Sequence, residues 1–201
     1  FTRAGDVSGF PWLTARELPA LLQYEPYFVD PRAPLSSSIR VRTPDNRDLA
    51  LEAPKLATEL ATRAETEVSL LRLKRGTFDS MPISIISSAT LDVAERAAGR
   101  SLDVRRFRPN VFIESATGTT EEEWIGSTLI FGTGEEAARV QVNYRTKRCM
   151  VINLDPGSSE ADQRVLKAIA ATSQSRAGVY ASVSRPGTIR VGDAAYLEKS
   201  E

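Results

Sequence analysis

A single cysteine, Cys149, stands in the run Arg145-Thr146-Lys147-Arg148-Cys149-Met150-Val151-Ile152-Asn153-Leu154-Asp155-Pro156. A thiolate is both a nucleophile and a soft-metal ligand, and the cations beside Cys149 suit an anionic sulfur. The same residue also fits as a small apolar group opening a buried strand, the common fate of a free cysteine. A second set of donors is Arg105-Arg106-Phe107-Arg108-Pro109-Asn110. The guanidinium fork matches phosphate oxygens and Asn110 adds an amide, so the motif reads as an anion site or as a solvated basic turn. A nucleic-acid patch is the third reading, and the balance of 26 basic against 26 acidic residues argues against it. A phosphate-bearing cofactor held by these arginines, with a thiolate ligand close by, would join the two motifs.

Histidine is absent. That excludes Ser-His-Asp and Cys-His nucleophile pairs, histidine zinc sites and histidine-ligated haem. One cysteine cannot close an internal disulfide or hold a zinc or iron–sulfur site alone, and it fits a reducing, cytoplasmic setting. No apolar run approaches the roughly 18 residues of a membrane span, so no membrane association is expected.

The elements that must position these residues follow from pattern. Gly9-Phe10-Pro11 reads as a turn, and Pro26, Pro31, Pro34 and Pro44 exclude a long helix over residues 21–52. Pro54 starts a helix to about Ala64 with Leu56 and Leu60 on one face, and Val68–Leu73 is a strand. The character changes near Gly76, dividing the chain into 1–75 and 76–201. In the second part Asp79-Ser80-Met81-Pro82 is a turn and Ile83–Ser87 a buried strand. A helix over Leu91–Ala98 is capped by Ser88 or Thr90 and ended by Gly99. Pro109 biases Arg108 to an extended backbone at the mouth of the strand Val111–Ile113. Thr128–Phe131, Ala138–Tyr144 and Cys149–Leu154 are further strands, divided by Gly132-Thr133-Gly134 and a basic turn. Ser159 caps a helix of roughly Glu160–Thr172, and Val179–Val183, the turn Arg185-Pro186-Gly187 and a run with Ile189 and Val191 form a closing hairpin, with Gly192-Asp193 before a last strand. Short strands outnumber helices, so the expected class is α+β to mainly β: a β-barrel-like core flanked by two or three helices.

Read together, Pro82-Ile83-Ser84-Ile85-Ile86-Ser87, Arg106-Phe107-Arg108-Pro109-Asn110, Glu123-Trp124-Ile125-Gly126, Arg148-Cys149 with Leu154-Asp155-Pro156, and Gly178-Val179-Tyr180 with Pro186-Gly187-Thr188-Ile189-Arg190-Val191-Gly192-Asp193 occur in that order. The set resembles the MOSC domain, named for the C-terminal domain of molybdenum cofactor sulfurases, on the branch of the amidoxime-reducing components. Residues 12–75, through Leu13-Thr14-Ala15-Arg16-Glu17, are similar to part of the N-terminal MOSC β-barrel domain. The resemblance implies a MOSC-type β-barrel and a molybdenum cofactor (molybdopterin) whose metal is bound by Cys149. It also implies cofactor contacts from Arg108 and Asn110, from Asp79 and Ser80 in the turn before Pro82, and from Arg16 near the phosphate. The bulky Met81 departs from the family's small residue. The family's earlier Lys-Ser segment finds no counterpart, so weaker cofactor retention is expected. Glu123-Trp124 and the Pro186-Gly187 and Gly192-Asp193 turns are read as structural. The activity implied is reduction of N-hydroxylated small molecules, amidoximes or hydroxylamino bases. Electrons would come from a separate donor protein, ferredoxin-like, flavoprotein or b-type cytochrome. Two rival expectations are a sulfur carrier with a Cys149 persulfide and a non-catalytic cofactor-binding module.

Overall fold

Two apolar patterns, a proline-punctuated one before residue 73 and a strand-rich one after residue 78, give two units. A computed structural model describes residues 1–7, 10–73, 78–116 and 118–199. It divides them into Phe1–Lys74 with Leu154–Ala161, and Arg75–Asn153 with Asp162–Glu201. The expected boundary near Gly76 and Gly9 of the expected turn lie outside the described residues.

In the first unit β1 (Thr2–Arg3) precedes a meander of β2 (Glu25–Phe28), β3 (Ile39–Arg42) and β4 (Asp48–Ala50). Pro54 stands in the first turn of α1 (Pro54–Ala64), whose Leu56 and Leu60 are buried in one cluster with Leu13, Leu18, Tyr24 and Val41. β5 (Val68–Ser69) pairs with β1 and the strand stops there, leaving Leu70 and Leu71 exposed. Gln23 Nε2 donates to Gly157 O at 3.0 Å, one tie between the 154–161 segment and this unit.

The second unit grows from β6 (Ile83–Ser87), whose Ile85 and Ile86 are both fully buried because the strand is covered on both faces. Ile85 enters the core with Trp124, Val140, Val142 and Val179, while Ile86 enters a second core with Ala94, Phe107, Val165 and Ile169. α2 (Ser88–Ala98) follows directly. Its cap is Ser87, whose side chain accepts from Thr90 N, and Gly99 at φ 66° ends it in the left-handed conformation. β7 (Val111–Ile113) returns parallel to β6, a crossover that needs the intervening helix. β8 (Thr128–Phe131) and β9 (Ala138–Lys147) are antiparallel, and β9 runs straight through the basic residues expected to form a turn.

Further sequence expectations change in this unit. Cys149–Leu154 is not a strand: Met150–Asn153 is a 3-10 turn, closed by Ile152 N donating to Cys149 O at 3.3 Å. α3 is Arg164–Ser173, because Asp162, and not Ser159, offers its carboxylate to the helix start at Arg164 N. The closing hairpin is also absent. β10 (Arg176–Arg185) pairs with β9 and β6, and β11 (Ala195–Glu198) crosses to β8. The sheet order is therefore β11-β8-β9-β10-β6-β7, mixed and six-stranded. Register shifts along β9–β10 bend it, and it curls into a half-barrel with α2 and α3 beside it: the α+β, barrel-like class expected from strand content. No helix among the described residues is long and apolar enough to cross a membrane.

Candidate functional site

Cys149 is half-buried between the end of β9 and the 3-10 turn, and two arginines fix that junction. Arg148 Nε donates to Ala177 O at 2.6 Å and its Nη1 to Phe107 O at 2.7 Å, while its backbone N donates to Ser175 O at 2.7 Å. Its guanidinium lies 5.5 Å from the Phe107 ring centroid, within cation–π range. Arg106 is 4% exposed and its Nη1 donates to Asn153 O at 2.9 Å. That bond turns the carbonyls after Cys149 toward a side chain rather than toward a neighbouring strand, which accounts for the missing strand.

Arg148 also carries the strongest electrostatic signal here. Its Nη2 is buried with no partner, and among the described residues no carboxylate lies within ion-pair distance of it. Burial lowers its pKa to about 10, against the raising effect of Tyr180, Glu121 and Cys149. It remains a cation at neutral pH, next to the thiol. Gly178 makes room for it: at φ +80° a Cβ would sit 2.6 Å from Arg148 Nη2 and 2.7 Å from Ile85 O.

The sheet register assembles the rest. Tyr180 on β10 lies opposite Tyr144 on β9 and Ser84 on β6, so the three share one face. The two rings stack edge-on with centroids 5.7 Å apart. Tyr144 Oη is 2.7 Å from Ser80 Oγ, which brings the Asp79-Ser80 turn to this row. Burial, and then the negative field of Asp79, raise the Tyr180 phenol above its ordinary pKa; Arg148 opposes this and Cys149 adds to it. Ser84 Oγ is buried without a partner. At the far side Asn110 clasps Ser84, its Oδ1 accepting from Ser84 N and its N donating to Ser84 O, both at 2.8 Å.

The structure thus gathers Cys149, Asp79, Ser80 and Asn110 around one row of strand residues. Asn110 spends its Oδ1 on the fold. Arg108 is exposed and follows directly on the carbonyl that Arg148 grips. It is left-handed at φ 48°, not extended, because it closes the 3-10 turn Val104–Phe107 with its N donating to Arg105 O. A non-glycine residue there stores strain of about 1–2 kcal/mol. Of the three arginines in the motif, Arg106 is structural and Arg105 pairs with Asp103 at 2.6 Å. Arg16 belongs to the first unit, where it is exposed, with its guanidinium 5.9 Å from the Phe10 ring.

Sequence reasoning missed Tyr144, Arg148 as a buried clamp, and Glu121. Trp124 is buried and Glu123 exposed, as expected, but Glu121 is fully buried. Its Oε2 accepts from Ser87 N (3.0 Å), from Ser87 Oγ and from Thr90 Oγ1 (2.8 Å), gathering the start of α2. Its Oε1 is buried without a partner. The only sequence signal was a run of three glutamates, which reads as solvated.

Comparison with known proteins adds relatives to this geometry. The model of the MOSC domain matches residues 73–196. Mitochondrial amidoxime-reducing component 1 of Mus musculus is 28% identical over 132 residues, covering 59% of this chain and 37% of that protein. Mitochondrial amidoxime reducing component 2 of Bos taurus is 24% identical over 131 residues, with the same coverages. The chain therefore spans 37% of the length of these curated relatives. The crystal structure of the YUAD protein from Bacillus subtilis aligns with a TM-score of 0.49 at 19% identity, covering 64% of this chain and 71% of that one.

Proposed function

Because the chain belongs to the MOSC domain family, we propose that it holds a molybdenum cofactor with Cys149 as the protein's ligand to the metal, and that it reduces N-hydroxylated small molecules. The observation that carries this is the donor set. Among the described residues no group of three or more His, Cys, Asp or Glu is placed to hold a metal ion. A lone thiolate suits a metal that arrives with its other ligands already attached, which is how a molybdopterin presents molybdenum. The buried Arg148 Nη2 and Ser84 Oγ, both without protein partners, are polar atoms that a bound anionic group would satisfy. The residues fit the cofactor.

When bound, the cofactor supplies two-electron chemistry at an N–O bond. The chain's own contribution is positional. Cys149 is held in place by Arg148 and by the turn that Arg106 anchors. Arg148 offsets negative charge at the sulfur. The Tyr180 phenol stays protonated at neutral pH and can donate to an oxygen at the site. Arg108 and Asn110 Nδ2 would hold the pterin and its phosphate, with further contacts from Asp79 and Ser80. Amidoximes as substrates rest on the names of the relatives, and electrons would come from a separate donor protein.

Alkylation of Cys149 tests the assignment. A cofactor-loaded protein should protect the thiol and a stripped one should expose it. Fast alkylation in both states, with cyanide-releasable sulfur on the metal-free protein, would replace the reductase by a sulfur carrier.

A further inference from the structure

We propose that the second unit carries a second binding site, for a small oxyanion-bearing molecule, in the cleft where α2 and α3 meet the ends of β9 and β10. A cavity of about 220 Å³ opens there, its walls including Val93, Glu122, Arg145, Ile169, Ser173 and Arg176. At roughly 30 Å³ per liquid water it holds about seven waters, or one metabolite-sized anion, and it is smaller than sites for drug-sized ligands. Cys149, Tyr144, Tyr180, Asp79 and Ser80 are not in its lining, so its occupant is not whatever binds beside Cys149.

Charge and unfilled hydrogen bonding select an anion. Arg145 Nη2 pairs with Glu122 at 2.5 Å, yet its Nε is buried with no partner. A buried charged donor left unsatisfied calls for an acceptor delivered from outside the protein. Arg176 Nη1 donates only to the neutral Gln174 Oε1, at 2.7 Å, and no described carboxylate lies within ion-pair distance of it. Arg145 and Arg176 both line the cavity, and Glu122 is the one carboxylate residue in its lining. Glu121 is not in the lining but opposes them from behind Thr90: its Oε2 accepts from Ser87 and Thr90 and its Oε1 is buried without a partner. Val93 and Ile169 supply an apolar wall. A carboxylate or a phosphate monoester on a short carbon body meets all of these: a planar or trigonal oxyanion for the arginine forks and an apolar remainder for the wall.

Isothermal titration of the 201-residue chain with butyrate, with inorganic phosphate and with methylammonium tests the site. One anion should bind saturably at one site per chain, with Kd of about 1 mM or tighter, while methylammonium should not bind. Arg176→Gln and Arg145→Gln should each weaken binding about tenfold or more, and Glu122→Gln should strengthen it. Cys149→Ser and Tyr180→Phe should leave it unchanged. Saturation by butyrate alone identifies a carboxylate site, and by phosphate alone a phosphate site. If Arg145→Gln does not fold, Arg176→Gln decides. The proposal is overturned if neither anion saturates, or if Kd follows Tyr180→Phe and not Arg176→Gln. The last outcome would place the anion at the Cys149 site and leave the proposed function standing.

Discussion

Gly178→Ala probes the geometry that holds Cys149. The added methyl group would meet Arg148 Nη2 at 2.6 Å and Ile85 O at 2.7 Å, and the backbone sits at φ +80°. The left-handed conformation alone costs an alanine about 1–2 kcal/mol. Ile85 O belongs to the central strand β6 and cannot withdraw, whereas the guanidinium can. Withdrawal sacrifices the bonds to Ala177 O (2.6 Å) and Phe107 O (2.7 Å), each worth about 1.5–3 kcal/mol for a charged donor. The sum is about 4–8 kcal/mol, an upper figure, since relaxation recovers part of it and a whole domain has only about 5–15 kcal/mol. Urea unfolding should therefore show a loss of about 3 kcal/mol or more at unchanged slope. In an Arg148→Ala background part of the penalty disappears, so the double-mutant cycle should give a coupling of about 1 kcal/mol or more, the glycine substitution costing less without the arginine. Alkylation of Cys149 in metal-free protein should also speed up, because its neighbour has lost its anchors. Strict additivity, within about 0.5 kcal/mol, together with an unchanged alkylation rate would refute the claim that Gly178 exists to admit Arg148.

Glu121→Ala removes the acceptor for Ser87 N, Ser87 Oγ and Thr90 Oγ1 and should destabilise by about 2–4 kcal/mol, with hydrogen exchange accelerating first at the start of α2. Asn110→Asp keeps the oxygen that accepts from Ser84 N, so the melting temperature should hold while pterin retention falls with the lost Nδ2 donor; a fall in both would make Asn110 purely structural. Hydrogen bonds from Arg164 hold the Asp162 carboxyl at about 2. A folded-state pKa below the unfolded value of about 3.9 gives stability that is present above that value and lost as pH falls from about 4 toward 2. Asp162→Asn should flatten that acid limb, and because Arg164 is exposed the effect should shrink in high salt.

Much of the fold was legible because local pattern and tertiary role agree. Ile83–Ser87 reads as a buried strand and is one; Pro54 with Leu56 and Leu60, and Gly99 after the second helix, mark helix ends by chemistry that needs no distant partner. The failures arise where a hydrogen-bond partner is one that local pattern does not name. Met150–Asn153 has strand composition, but Arg106, 47 residues before Asn153, takes the Asn153 carbonyl. Arg108 precedes a proline yet turns left-handed to close Val104–Phe107. The C-terminal turns suggested a local hairpin, whereas β11 completes its hydrogen bonds on β8, far away in sequence. At the site, residue types were readable and pairings were not. Cys149, Arg108, Asn110 and the Asp79-Ser80 turn could be picked out, but Tyr144 beside Tyr180 follows only from strand register, and the role of Arg148 only from burial.

The molybdenum content of natively purified protein, wild type against Cys149→Ser, bears most directly on the proposed function. Serine keeps nearly the same volume and replaces a soft ligand by a hydroxyl that stays protonated near neutral pH. From a host able to make the cofactor, wild-type protein should carry molybdenum, at up to one per chain, and the folded serine variant should lose most of it while keeping some pterin through Arg108 and Asn110. Equal metal content in the two folded proteins, or none in the wild type, would contradict Cys149 as the metal ligand.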